Sequence, residues 1–205
     1  MATGILRRLA LAPPAPAEPS AGSLSIHQVY EIHFRYVWRT LRGFGVAEHA
    51  VEDAAHDVFM VVQRKLDTFD GEQAKLTTWL YEIALRVARR YRAQSAKEVR
   101  RLVALAPAPE DTERAEEAPP AGLADLPCSL EQGERLALAR RALDALDADK
   151  REAFVLACVE QRSAPEIARI TGVPLNTVYS RIRAARRTFA EAVARLEPAA
   201  SRRVR

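Results

Sequence analysis

Apolar residues recur at every third or fourth position along most of the chain, and strict alternation never lasts long enough to build a strand. The pattern predicts an all-α protein. Ser25 and Gln28 form the ends of a capping box that opens a first helix running through about Leu41. Gly43 and Gly45 then interrupt the periodicity. A second helix, from about Ala47 to Lys65, buries Val51, Ala55, Val58 and Val62 on one face, and a polar loop follows from Leu66 to Lys75. A third helix starts near Thr77 and places Leu80, Ile83, Ala84, Val87 and Tyr91 along one side.

The helical pattern stops near Leu102. Pro107, Pro109, Pro119, Pro120 and Pro127 then share a segment with Glu110, Asp111, Glu113, Glu116, Glu117 and Asp125. Such a segment buries too little apolar surface to offset its ordering entropy, so an extended or disordered linker is expected. Helical periodicity resumes from about Leu130 to Ala145. A further helix, about Lys150 to Glu160, is opened by Asp149 with Glu152 as its capping partner, and Ser163 with Glu166 repeats the device for a short helix ending near Ile170. At the N-terminus Pro13, Pro14 and Pro16 break a short apolar run, which predicts a tail rather than a signal peptide, and no stretch reaches membrane length. The expected organisation is a disordered tail (1–24), a helical domain (25–102), an acidic Pro-rich linker (103–129), a second helical domain (130–197) and a basic tail (198–205).

Charge sharpens this picture through its distribution. The 205 residues carry a net charge of +4, too little to establish a nucleic-acid partner by itself. Arg114 is the one base between Ala104 and Ser129, whereas Arg169, Arg181, Arg183, Arg186 and Arg187 occupy a stretch with no acid from Arg169 to Ala190. The third helix carries Arg86, Arg89 and Arg90, continued by Arg92, Lys97, Arg100 and Arg101, relieved by Glu98 alone. The two cysteines make neither a disulfide framework nor a zinc site, with Cys158 expected in a core and Cys128 at the linker edge. A cytoplasmic protein with no membrane contact of its own is expected.

The last helices concentrate the candidate chemistry. Ala168 permits close approach, Gly172 suits a left-handed turn, Pro174 suits the first turn of the next helix, and Ile167, Ile170, Val173, Val178 and Ile182 supply an apolar lock. With Val178, Ile182 and Ala185 facing inward, the outer face and its flanks present Asn176, Thr177, Tyr179, Ser180, Arg181, Arg183, Arg186 and Arg187. Arginine grips guanine in two places, asparagine grips adenine, and hydroxyls bind phosphate or either base edge. This is the residue set of a helix-turn-helix that lies in a DNA groove.

Leu143-Asp-Ala-Leu146, Lys150-Arg-Glu-Ala-Phe-Val-Leu156, Glu166-Ile-Ala168, Gly172-Val173 and Thr177-Val-Tyr-Ser-Arg181 together resemble the fourth conserved region of bacterial sigma factors. Val51-Glu-Asp53, Asp57-Val-Phe59, Thr78-Trp-Leu80 and Ile83-Ala84 resemble their second conserved region. Their order, and the lack of a large domain between them, resemble the extracytoplasmic-function group. The resemblance implies a chain that binds core RNA polymerase, directs it to promoter DNA and assists melting, without chemistry or cofactors of its own. It implies that Asp53, Asp57, Val58, Val61, Gln63 and Arg64 meet the polymerase, with Val58 sharing that role with the core. It implies that Lys75, Thr77, Thr78, Trp79, Arg86 and Arg90 hold the melted "minus ten" element, while the helix-turn-helix reads the duplex "minus thirty-five" element. An anti-sigma partner between the domains is a further implication. Three positions depart from the family: His56 stands where glutamine is usual, and Arg86 and Arg90 stand where asparagine and aspartate are common, which favours phosphate contact over base discrimination.

Two other readings remain open at this level. A stand-alone helix-turn-helix regulator would bind DNA tightly without polymerase, usually as a dimer on paired half-sites. An enzyme would need more than His49, Glu52, Asp53 and His56, which fall at helical spacing and are the sole candidate metal ligands. The expectation is no metal and no catalysis.

Overall fold

The computed structural model describes residues 25–70, 75–105 and 130–200, so the N-terminal tail, most of the acidic linker with Cys128 and residues 201–205 lie outside the described residues, while 103–105 of the expected linker and 198–200 of the expected basic tail are helical. The order of elements is α1 (Ile26–Gly43), a 3-10 turn (Glu48–Ala50), α2 (Val51–Lys65), a second 3-10 turn (Leu66–Thr68), α3 (Leu76–Leu105), α4 (Leu130–Asp144), α5 (Ala148–Phe154), a π-helical turn (Val155–Val159), α6 (Ala164–Thr171) and α7 (Leu175–Ala200). No strand occurs among the described residues. None of their helices is long and apolar enough to cross a membrane.

Local chemistry explains most boundaries. Ser25 caps α1 through the amide of Gln28, and the Gln28 side chain returns to the Ser25 amide at 3.2 Å, closing the expected box. Ser163 and Glu166 close the same box at the start of α6, with Oε2 of Glu166 accepting from the Ser163 amide at 2.9 Å. Gly45 turns the chain after α1 at φ +86°, a conformation that glycine adopts without strain.

Three boundaries differ from the sequence reading. Asp147, not Asp149, caps α5, accepting from the Lys150 amide at 2.9 Å. Glu152 is therefore free of capping duty and is 1% exposed. The helix expected to reach Glu160 leaves α geometry at Val155 for a π turn, and Pro174 stands just before the first residue of α7 rather than within its first turn.

α1, α2 and α3 pack on one another around Val29, Val37, Leu41, Val58, Val62, Leu80 and Ala84. α7 lies across α4, α5 and α6 around Leu143, Phe154, Ile167, Val178, Ala185 and Phe189. The two halves then close directly on each other. Where α1 ends, a β-carbon added to Gly43 would lie 3.1 Å from Cγ1 of Val155, so the glycine permits the close approach. α3 packs along α6, and one continuous apolar core joins both halves.

Ser163→Ala is expected to cost about 1 kcal/mol, the usual worth of an N-cap. Glu166 adds a pH signature. Its carboxyl is held below the usual range, chiefly by the Ser163 hydroxyl and then by the Ser163 amide and Arg162, against an opposing effect of burial. Asp147 is lowered likewise by Lys150, through its side chain and then its amide. A carboxyl lowered in the folded state adds stability above its unfolded pKa and loses it as pH falls through the folded value. The C-terminal half should therefore weaken progressively below about pH 5. Thermal melts followed by circular dichroism at a series of pH values check this: Glu166→Gln should flatten the acid slope, and an unchanged slope would contradict it.

Candidate nucleic-acid interface

The hinge between α6 and α7 is built as a helix-turn-helix requires. Gly172 caps α6 in left-handed geometry, φ 73° and ψ 23°, and its amide donates to the carbonyl of Ala168 at 2.9 Å. Nothing lies within 4 Å of where its β-carbon would be, so backbone angle rather than crowding demands glycine there. Ile167 and Val178 are fully buried across the hinge, Ile170 is buried beside them, and Val173 and Ile182 pack against the same core.

This lock aims the other side of α7 at solvent. Asn176, Tyr179, Ser180, Arg183, Arg186 and Arg187 are exposed, and Tyr179, Ser180, Arg183 and Arg187 border a shallow concavity of about 330 Å3 on its surface. Thr177 is half-buried and its carbonyl accepts from the Ser180 hydroxyl at 2.9 Å. Arg181 turns back onto α5, where it pairs with Asp149 and keeps 23% side-chain exposure. Nε of Arg186 lies 3.4 Å from the sulfur of the half-buried Cys158. Arg187 has a loose pair with Glu191 at 3.9 Å. The geometry thus offers an exposed asparagine and three exposed arginines on one helix, with Arg181 committed to bracing its base.

The candidates near the start of α3 are placed less uniformly. Lys75 is exposed, but Thr77 and Thr78 are 2% and 1% exposed, and Nη2 of Arg162 donates to the Thr77 hydroxyl at 3.2 Å from the other half of the molecule. Trp79 is half-buried and packs on Phe69, ring centres 5.0 Å apart. Arg86 is exposed, 4.0 Å from Glu82. Arg90 pairs with Asp57, which also accepts from the Tyr91 hydroxyl at 2.7 Å. Burial, then this hydrogen bond and the nearby carboxylate, push the Tyr91 phenol up. A residue expected to meet the polymerase and one expected to meet DNA are therefore tied together across α2 and α3.

Of the remaining polymerase candidates, Asp53, Gln63 and Arg64 are exposed on α2 and Val61 is half-buried. Val58 is fully buried, so it supports the helix from the core instead of sharing in a surface contact. Among the described residues no three His, Cys, Asp or Glu side chains gather where they could hold a metal.

Sequence reasoning missed a buried ion-pair cluster that joins the two halves. Nη2 of Arg89 donates to Oε2 of Glu152 at 2.7 Å and its Nε to Oε1 at 3.2 Å, while Arg92 pairs with the same carboxylate and also donates to the Phe44 carbonyl at 2.6 Å. The Glu152 hydrogen bonds raise the Arg89 pKa against the cost of its burial. Also between the two halves, Glu160 accepts from the Tyr81 hydroxyl, and Arg162 stacks over the Tyr81 ring at 4.9 Å. Burial raises the Glu160 carboxyl, with Arg39 and Arg162 opposing.

Two family models match the chain. Sigma-70 region 2 matches residues 29–98, and sigma-70 region 4 matches residues 136–189. The chain is 31% identical over 161 residues to the RNA polymerase sigma factor NccH of Alcaligenes xylosoxydans xylosoxydans, covering 78% of this chain and 81% of that protein. It is 35% identical over 150 residues to the sigma factor CnrH of Cupriavidus metallidurans, covering 71% of this chain and 74% of that one. The fold is similar to that of the sigma factor RpoE in its complex with the anti-sigma factor NepR from Bartonella quintana, with TM-score 0.60 and 22% identity over 82% of this chain and 96% of that one. It is similar also to CnrH bound to the cytosolic domain of CnrY, with TM-score 0.55 and 22% identity over 94% of this chain and 96% of that one. The chain belongs to the sigma-70 family of RNA polymerase sigma factors, in its extracytoplasmic-function group. It is a transcription initiation factor that binds core polymerase and directs it to promoters, and it is not an enzyme.

Proposed function

We propose that the two halves divide the promoter and the polymerase between them. The helical domain over residues 25–102 docks on core polymerase through the exposed side of α2, at Asp53, Gln63, Arg64 and the half-buried Val61. The start of α3 holds the melted strand of the "minus ten" element, with Lys75 and Arg86 on phosphate, and Thr77, Thr78 and Trp79 lining the pocket for an unstacked base. Unstacking costs a few kcal/mol, which contacts to the freed base offset. The helix-turn-helix domain over residues 130–197 reads the "minus thirty-five" duplex through Asn176, Ser180, Arg183 and Arg187, with Thr177, Tyr179 and Arg186 on flanking phosphates. The observation that carries this reading is the exposed, acid-free stripe of α7 set against a hinge capped by Gly172.

One solved relative is bound to an anti-sigma factor and the other to the cytosolic domain of CnrY, and the first supports an anti-sigma partner here. A sigma factor works where the polymerase is, which places the chain in the cytoplasm. Run-off transcription on a pool of promoter fragments tests the whole reading. Core polymerase with this chain should initiate from a subset of fragments that neither component uses alone. Tight DNA binding without polymerase, and no initiation, would instead make it a stand-alone regulator.

A further inference from the structure

The apolar residues of α7 are of two kinds. Val178, Ala185, Phe189, Ala192 and Val193 are buried and hold the helix to its own half of the chain. Leu175 and Tyr179 belong to no core. They are 39% and 56% exposed and stand four residues apart, so one lies above the other on the helix surface. The lock between α6 and α7 is complete without them, being made by Ile167, Ile170, Val173, Val178 and Ile182. A single exposed leucine needs no explanation. An aliphatic side chain and an aromatic ring on adjacent turns of the face offered to promoter DNA call for one.

Their neighbours indicate what would cover them. Asn176 follows Leu175 directly, Ser180 follows Tyr179, and all four are exposed within the first two turns of α7. In a helix-turn-helix the N-terminal residues of the second helix reach the base edges. Tyr179 also borders the shallow concavity that it shares with Ser180, Arg183 and Arg187. The major groove offers one apolar group to such a surface, the C5 methyl of thymine. A guanidinium or a carboxamide gains nothing from that methyl, whereas a leucine covering it removes apolar surface of both partners from water.

We infer that Leu175, with Tyr179 beside it, reads a thymine methyl within one base pair of the adenine that Asn176 grips. The Tyr179 hydroxyl is left to reach a flanking phosphate while its ring stays against the groove. The start of α7 thereby selects A·T pairs, and Arg183 and Arg187, about two and three turns further on, select guanine. This role for Leu175 rests on α7 being the "minus thirty-five" helix and adds the chemical group that its first residue recognises.

The test uses holoenzyme assembled from core polymerase and the full chain, on a promoter fragment at which it initiates. Each thymine of the upstream element, on either strand, is replaced in turn by uracil, which pairs in the same way and lacks only the methyl. Binding is read by competition against the unmodified promoter. One or two replacements should weaken binding by about fourfold, the effect of burying one carbon fewer. Leu175→Ala should bind thymine and uracil alike at those positions while keeping its preference for the adenine beside them. Leu175 lies outside the core, so the variant should melt with the parent chain, which separates lost recognition from lost folding. An upstream element that holds no thymine, or is indifferent to every methyl, would overturn the assignment. A methyl effect that Leu175→Ala leaves intact would overturn it too. Failure of the promoter reading itself looks different, since the parent holoenzyme would then show no upstream sequence preference at all.

Discussion

Phe189→Ala is expected to destabilise the C-terminal half by about 3–5 kcal/mol, the usual range for removing a buried aromatic ring. Phe189 is 2% exposed and Phe154 is fully buried, and their rings stack with centres 4.6 Å apart and planes 28° from parallel. That pair is where α7 is bolted to α5, and its neighbours Ala185, Ala192 and Val193 are too small to refill the void. A loss of this size is about a fifth or more of the ~5–15 kcal/mol that a typical domain has to spare. Urea denaturation followed by circular dichroism should show an early transition that carries the helix-turn-helix away, and promoter-directed initiation should fall with it. A midpoint unchanged from the parent chain would mean that α7 is held by something other than this stack.

The double variant Arg183→Ala/Arg187→Ala should do the opposite, leaving stability almost untouched while removing promoter selection. Both side chains are exposed, and the Arg187–Glu191 pair at 3.9 Å, with 77% and 61% of its side chains accessible, is too solvated to matter for folding. Each arginine on a base edge contributes about 1–3 kcal/mol of discrimination, and each one on a phosphate steepens the salt dependence. Initiation at a promoter that depends on its upstream element is therefore expected to drop by about 10- to 100-fold or more. The slope of binding against salt should shrink by about one for each arginine that met a phosphate. Run-off transcription and a melting curve on the same preparation check both halves of the expectation. Normal initiation would move the reading surface off this face of α7.

The parts of this design that were legible in the sequence are those governed by neighbours. Ser25 with Gln28, and Ser163 with Glu166, satisfy orphan amides within one helical turn, so their spacing alone reveals them. Gly172 is readable because a left-handed cap between two apolar periodicities has few other solutions. Family resemblance supplied the roles, since nothing in the spacing of Asp53 or Gln63 names a polymerase.

What stayed hidden depends on partners far along the chain. Glu152 follows Asp149 by three residues and mimics a capping box, yet its ligands lie 63 and 60 residues earlier, beyond any periodic signal. The contact that covers Thr77 is equally long-range, made by Arg162 from the other half of the chain. The π turn at Val155–Val159 escapes helical patterning because a single such turn is too short to show a period of its own. Arg181 carries the same residue type as Arg183 two positions on, and only the position of Asp149 separates a bracing arginine from a reading one.

The most direct measurement takes one promoter on which this chain supports initiation and substitutes every base pair in turn, scoring run-off product with core polymerase and either the parent chain or Asn176→Ala. The parent chain should show two islands of sensitivity, one upstream in duplex DNA and one at the melted element. Asn176→Ala should relax preference at one or two upstream positions and leave the downstream island as it was. Upstream preferences that survive Asn176→Ala, Arg183→Ala and Arg187→Ala alike would show that α7 does not read the duplex.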